Sequence, residues 1–265
     1  MTLRCIGIIP ARLSATRLPR KPLADILGKT LLQRVWEQAQ QAAGLCEVHI
    51  ATDTEELAAV ARGFGASVIM TGSDNLTGSD RVGEAAQILA SRGVAYDLIA
   101  NVQGDMPFIN PVVITETVNA LAHAPLHIGM STVVTPIDSR DEFLKPSAVK
   151  ALLGALHDSH QEVLYFSRAP IPFMRDPDEV VVTAEAPYGY RHLGLYVFRP
   201  ETLQKMRTLP QSLPEKREKL EQLRALSHGV RICAYVASPE LLRRQIEVDT
   251  PEDLIRAREI AALGA

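Results

Sequence analysis

Cysteine is scarce in this sequence: Cys5, Cys46 and Cys233 stand far apart among 265 residues, and no CxxC pair occurs. That spacing speaks against a disulfide framework or a thiolate zinc site and fits reduced, structural thiols. A surplus of positive charge is missing too. With 28 Lys and Arg against 31 Asp and Glu the formal net charge is -3, so there is no broad basic field of the kind that holds nucleic acid. No nucleic-acid partner is expected, and any cationic function has to be local. Long apolar runs are also lacking. None approaches the ~18 residues of a membrane span, and the run at 5–10 is too short for a secretory signal. No membrane association is expected, and the expected location is the cytoplasm.

What is present is enough apolar material, 46% of residues, for one large core or a core with a smaller lobe. Short β-branched runs at 5–9, 48–52, 67–70 and 98–102 alternate with amphipathic patterns at 31–41, 55–62, 80–90 and 111–121. Such alternation predicts parallel βαβ units. Asn110 and Pro111 suit the cap and first position of the fourth helix. Beyond residue 129 the alternation breaks. Apolar stretches at 129–135, 163–167 and 192–198 predict a mixed sheet and a lobe of longer loops, followed by a charged helix at 214–227 and a strand at 231–236. Thr250, Pro251, Glu252 and Asp253 then open a last helix, with a cap, a proline at the first position and acids at its positive end. The expected class is α/β, a mixed and mostly parallel central sheet flanked by helices. Within one domain we expect a nucleotide-binding part at about 1–128, a smaller lobe at about 129–235 and a C-terminal segment at about 236–265.

The first strand-to-helix connection, 10–23, is long and carries Arg12, Arg17, Arg20 and Lys21 interleaved with Ser14 and Thr16. It follows the carboxyl end of a strand, where open α/β sheets bind ligands. Forked guanidinium donors and a compact ammonium suit a chain of phosphates, although a solvated surface turn would read similarly. The loop carries neither G-x-G-x-x-G nor G-x-x-x-x-G-K-[ST]. That disfavours a NAD-dependent oxidoreductase and a P-loop enzyme. Asp105, in Gln103-Gly104-Asp105, ends another strand and is placed to offer oxygen to Mg²⁺; a Gly-Asp turn reads the same way locally. Asp249 is a second such carboxylate, or a helix cap. His192 and Tyr196 fall on one face of a strand and Arg191 on the other, with a core histidine as the competing reading. Arg168 suits either a substrate carboxylate or an internal acid.

In order along the chain, the segments 9–23, Gln103-Gly104-Asp105, 165–172, Arg191-His192-Leu193-Gly194, 219–224 and 248–254 resemble the 3-deoxy-manno-octulosonate (Kdo) cytidylyltransferases, also called CMP-Kdo synthetases. Thr77 to Arg81 resembles the family's loop before its third helix. The resemblance covers nearly the whole chain. Three positions depart from the family pattern: Met106 stands where Glu is frequent, Glu247 where Gly is common, and 144–147 replaces an Asn-Pro-Asn-like segment.

The resemblance implies a nucleotide-diphospho-sugar transferase-like fold, a homodimer formed through the second lobe, and CTP and Kdo as substrates in lipopolysaccharide biosynthesis. By the same resemblance Arg12, Arg17 and Lys21, with Pro10 and Ala11 of the same loop, contact CTP, and Ser79, Arg81 and Gln103 lie near the nucleotide. Asp105 and Asp249 hold Mg²⁺. Gln103, Arg168, His192, Tyr196, Glu218 and Gln222 form the sugar pocket, His192 as a positioning donor rather than a base. The mechanism expected is direct attack of the sugar 2-hydroxyl on the α-phosphate, with Arg12, Arg17, Lys21, Asp105 and Asp249 as the catalytic groups. The alternatives are another acidic sugar, such as 8-amino-Kdo or a sialic acid, or a catalytically silent nucleotide-binding regulator.

Overall fold

The computed structural model describes residues 3–14, 17–157, 160–176, 182–183 and 186–263. Its first strand, β1 (Cys5–Ala11), alternates between two buried faces: Cys5, Ile9 and Ala11 pack on one side, Ile6 and Ile8 on the other. Having no polar face, the strand belongs in the middle of a sheet covered on both sides. A small hairpin, β2 (Asp25–Ile26) and β3 (Lys29–Thr30), leads into α1 (Leu31–Gln40). The alternating part then runs β4 (Glu47–Thr52), α2 (Glu55–Gly63), β5 (Ser67–Met70), α3 (Gly78–Ser91), β6 (Leu98–Asn101) and α4 (Pro111–His123). Its strands pair in parallel, β1 with both β4 and β6, and β4 with β5.

Caps fix where these helices begin. Thr30 Oγ1 accepts from the Gln33 N–H, Asn110 Oδ1 accepts from the Val112 N–H, and Thr77 with Asp80 forms a reciprocal box at the start of α3. Each such cap is worth about 1 kcal/mol.

The second half contains β7 (Ile128–Ile137), α5 (Arg140–Leu144), β8 (Lys150–His157), β9 (His160–Ser167) and β10 (Gly189–Phe198). It continues through α6 (Pro200–Thr208), α7 (Leu213–Glu218), α8 (Gln222–Ser227), β11 (Arg231–Val236) and α9 (Pro251–Ala262). Among the described residues nine strands form one mixed sheet in the order β5-β4-β1-β6-β10-β7-β11-β9-β8. From β1 the chain first builds outward through β4 and β5 and then returns to place β6 on the other side of β1. The connections after β1 and β6 therefore diverge, and a crevice opens at their carboxyl ends.

The expected helix at 214–227 is in fact two. Lys219 adopts the left-handed region (φ 56°, ψ 45°) and ends α7, because Glu215 and Arg224 form a buried ion pair that folds α8 back against it. Residues nine apart on one straight helix would not meet in this way. The turn buries Leu220 and turns the following residues toward the site.

Candidate active site

The crevice after β1 and β6 is a cleft of about 330 Å³, within the range of small-molecule sites. Arg12, Arg17 and Lys21 of the basic loop line it together with Gln103, Gly104 and Asp105 of the loop after β6, and Pro10 and Ala11 line it as well. The two loops lie close together. A Cβ added at Gly104 would come within 3.0 Å of the Pro10 carbonyl oxygen, so a side chain there would push them apart. Ala15 and Thr16 of the basic loop lie outside the described residues.

At the floor of the cleft Lys21 Nζ donates to Asp105 Oδ2 at 3.1 Å and to Asp249 Oδ1 at 2.8 Å. Arg17 Nη2 donates to the other oxygen of Asp249 at 2.9 Å. Burial opposes the charge on Lys21, yet Asp105 and Asp249 outweigh it and hold the ammonium above its usual pKa. For Asp249 burial acts upward, but Lys21 and then Arg17 prevail and lower its carboxyl. One ammonium thus reaches two carboxylates that are 144 positions apart in sequence, and the Val248 N–H bond to the Asp105 carbonyl at 2.9 Å ties their backbones together.

Arg81 also lines the cleft, from beneath. It is buried, and its guanidinium donates to Asp53 at 2.8 Å and to Thr71 Oγ1 at 2.6 Å. Ser79, expected beside the nucleotide, is instead buried behind the cleft, where its hydroxyl accepts from Asn101. Asn101 in turn accepts from Gln103 Nε2 at 3.0 Å, so Ser79 acts on Gln103 through Asn101.

A second cavity of about 770 Å³ adjoins the first, and Gln103 and Asp105 line both. His192, Tyr196 and Gln222, three of the expected sugar contacts, line it. Gly194 and Leu195 form an irregularity in β10 opposite β7; because two residues are unpaired, His192 and Tyr196 keep the same face. Arg191, assigned by alternation to the opposite face, lines this cavity as well, its long side chain reaching Glu142 Oε1 at 2.9 Å.

Arg168 and Glu218, expected among the sugar contacts, are engaged with each other and with their neighbours instead. Glu218 accepts from the Ser167 hydroxyl and the Arg168 N–H, while Arg168 donates to the carbonyls of Glu218 and Pro146. Neither lines the cavity; they tie together the segments behind its wall. Lys150 anchors the same wall. Wholly buried, its ammonium donates to the carbonyls of Lys145 (2.8 Å), Ala148 (2.6 Å) and Arg168 (2.6 Å). Glu221, a candidate from its place beside Gln222, lines the cavity too, as do Lys145, Ser147 and Glu247, which were not among the site residues inferred from sequence. Glu221 accepts from the Thr77 hydroxyl at 2.9 Å and so connects this cavity to the cap of α3.

His192 is buried, and desolvation brings its pKa down from 6.5 to about 3, so the ring is neutral at working pH. Thr132 Oγ1 donates to the Leu195 carbonyl at 2.8 Å, which leaves its lone pair for His192 Nε2–H at 3.0 Å. With the hydroxyl donating to that carbonyl, Nε2 carries the ring hydrogen and Nδ1 is left as an acceptor. The same shift predicts a pH effect on stability. The unfolded chain binds a proton near pH 6.5 and the folded one only near about 3, so stability falls as pH drops through this window. At pH about 5 the loss is about 2 kcal/mol. His192→Gln is expected to flatten that part of the melting-temperature profile between pH 7 and 5; an unchanged slope would contradict it.

Among the described residues no group of three or more His, Cys, Asp or Glu side chains forms a ready metal cage. Asp105 and Asp249 nevertheless fit a hard cation: both are carboxylates, both lie within reach of one positive centre, and Mg²⁺ commonly takes one or two carboxylates and completes its shell with phosphate and water.

Comparison with known proteins places this architecture. A cytidylyltransferase family model matches residues 6–232. A 3-deoxy-manno-octulosonate cytidylyltransferase from Syntrophobacter fumaroxidans is 42% identical over 252 residues, covering 95% of this chain and 94% of that protein. An 8-amino-3,8-dideoxy-manno-octulosonate cytidylyltransferase from a Shewanella strain is 38% identical, with 98% and 99% covered. The solved structure of a CMP:2-keto-3-deoxy-manno-octonic acid synthetase complexed with CTP superposes with a TM-score of 0.85 at 34% identity, covering 99% of this chain and all of the other. Together with the paired carboxylates beneath the basic loop, these matches show that the chain belongs to the cytidylyltransferase family, in its 3-deoxy-manno-octulosonate cytidylyltransferase branch.

Proposed function

We propose that this chain transfers CMP from CTP to Kdo, releasing pyrophosphate and supplying the activated sugar for lipopolysaccharide synthesis. The observation that carries the reading is the junction at Gln103 and Asp105, shared by a cationic cleft and a larger polar cavity. Two substrates bound side by side there would meet at Asp105. The relatives named for this reaction, and the likeness to a synthetase complexed with CTP, support the assignment of the two substrates.

In this reading Arg12, Arg17 and Lys21 bind the triphosphate, and Pro10 and Ala11 seat the nucleotide. Asp105 and Asp249 hold Mg²⁺, which when bound supplies positive charge at the α-phosphate and the leaving pyrophosphate. The second cavity orients Kdo: Arg191 and Lys145 face its carboxylate, while His192 Nδ1, Tyr196 and Gln222 meet hydroxyls. The sugar 2-hydroxyl attacks the α-phosphate, the bond to pyrophosphate breaks, and the hydroxyl proton passes to solvent. A covalent enzyme intermediate is not required. The part at about 1–128 would bind CTP, 129–235 the sugar, and 236–265 bring in Asp249. We place the enzyme in the cytoplasm as a homodimer. Consistent with this, no helix among the described residues is long and apolar enough to cross a membrane, and Leu144, Leu164 and Phe173 of the second lobe expose apolar surface.

Lys150→Met is expected to raise the KM for Kdo about tenfold or more while leaving that for CTP nearly unchanged. The substitution takes the ammonium away from three carbonyls behind the sugar cavity, of which that of Lys145 keeps the Ala148 N–H as a donor; a carbonyl left unpaired when buried costs about 1–3 kcal/mol. Equal changes in both KM values would contradict the wall-anchoring role.

Substrate choice is tested by initial rates of pyrophosphate release with Kdo, its 8-amino analogue and a sialic acid at fixed CTP. Highest kcat/KM for Kdo supports the assignment. Preference for another sugar keeps the mechanism and changes the substrate, and binding of CTP without turnover of any sugar supports a nucleotide-binding regulator.

A further inference from the structure

The ammonium of Lys21 occupies the place between two carboxylates where a divalent cation would have to sit. It faces Asp105 at 3.1 Å and Asp249 at 2.8 Å, and the side chains of Lys21, Asp105 and Asp249 are 17%, 27% and 35% exposed. Each of these hydrogen bonds engages an oxygen that a chelated cation also needs. With no third acidic, His or Cys side chain in the cluster among the described residues, a cation has little else to gain from the protein alone. A triphosphate changes both terms: it offers Lys21 a second anionic partner in the same cleft, and it brings oxygen ligands for the cation.

We propose that Lys21 keeps the Asp105 and Asp249 pair closed to divalent cations until a nucleotide triphosphate draws its ammonium away, so that the cation enters with or after the nucleotide. The inference rests on the cytidylyltransferase reading and concerns the order of loading at that site.

Removing Lys21 has two opposed consequences. It ends the ammonium's competition for Asp105 Oδ2 and Asp249 Oδ1, while Arg17 stays on Asp249 Oδ2 at 2.9 Å, and it also removes a charge that keeps the two carboxylates adjacent. The backbone decides between these effects. Val248 N–H donates to the Asp105 carbonyl at 2.9 Å, and the Asp249 N–H donates to the Asp253 carboxylate at 3.2 Å. Both aspartates therefore stay neighbours without the ammonium. Their mutual repulsion, no longer offset by Lys21, favours any cation that enters.

The test is Mn²⁺ binding to the full chain without nucleotide, followed by the electron paramagnetic resonance signal of free Mn²⁺. Wild type, Lys21→Met, Lys21→Gln and the double variant Lys21→Met/Asp105→Asn are compared, each checked by thermal melting. The single variants are expected to bind Mn²⁺ at least about tenfold more tightly than wild type, and the double variant is expected to lose that gain. Folded single variants that bind no more tightly than wild type overturn the proposal, as does a double variant that retains the gain. The readout does not depend on turnover. Absence of pyrophosphate release by wild type would remove the catalytic reading and leave this comparison intact.

Discussion

Asp105→Asn is expected to lower kcat for pyrophosphate release at least about a hundredfold at saturating CTP and Kdo, with little change in melting temperature. Asparagine keeps the size of the side chain and removes its charge, at the one carboxylate that, among the described residues, lines both cavities. Loss of one preorganised electrostatic contact to a transition state typically costs about 3 kcal/mol, on the order of a hundredfold in rate. Lys21 keeps Asp249 as a partner at 2.8 Å in this variant, so the floor of the cleft should not collapse. A magnesium titration with the rate as readout checks the assignment. Parental turnover with parental magnesium dependence would show that Asp105 is no metal ligand.

The largest stability effect is expected at the buried pair joining α7 to α8. Arg224 Nη2 donates to Glu215 Oε1 at 2.6 Å and Arg224 Nε reaches both carboxylate oxygens, with each residue only 4% exposed. Glu215 also closes the cap of α7 by accepting from the Ser212 N–H. Glu215→Ala leaves the guanidinium buried and without its main partner, which costs about 3–5 kcal/mol. For a chain of this size that is a drop on the order of 10 °C in melting temperature by calorimetry. Replacing both residues with methionine is expected to recover most of the loss, because packed apolar groups tolerate that environment better than a lone charge. A single variant that melts within about 2 °C of wild type would contradict the account. The effect should extend to the sugar cavity, since Glu221 and Gln222 follow directly on the turn that this pair enforces.

The parts of the fold legible in the sequence are those where local signals and tertiary packing agree. The alternating units through α4 follow their apolar periodicity, and Asn110 and Thr250 cap helices as their neighbours suggest. The strand β11 begins and ends at the expected residues. In contrast, β8 gave no strand signal. Its stretch KALLGALH is built from good helix formers, and it is extended because it pairs with β9 and with the start of β10. The split between α7 and α8 was hidden for a similar reason: the charge pattern of 214–227 suits one helix, and a non-glycine residue at positive φ is tolerated only because Glu215 and Arg224 hold the turn.

The site divides in the same way. The basic loop and the two aspartates stood out because their residue types serve one chemistry, and the fold brings Lys21, Asp105 and Asp249 into contact. Arg168 and Glu218 carried a motif but not a position, since their hydrogen bonds turn inward. Glu142 carried no signal in the sequence and Lys145 stood out only as part of a departure from the family pattern; the packing of α5 on β7 and the Arg191–Glu142 bond place them at the second cavity.

The central claim is that the two cavities meeting at Asp105 join CTP to Kdo. The most direct measurement is pyrophosphate release with CTP, Mg²⁺ and Kdo together, beside each single omission. The account predicts release only when all three are present, with CMP-Kdo formed in equal amount. Release that proceeds without sugar, or no release with any acidic sugar despite CTP binding, would contradict it.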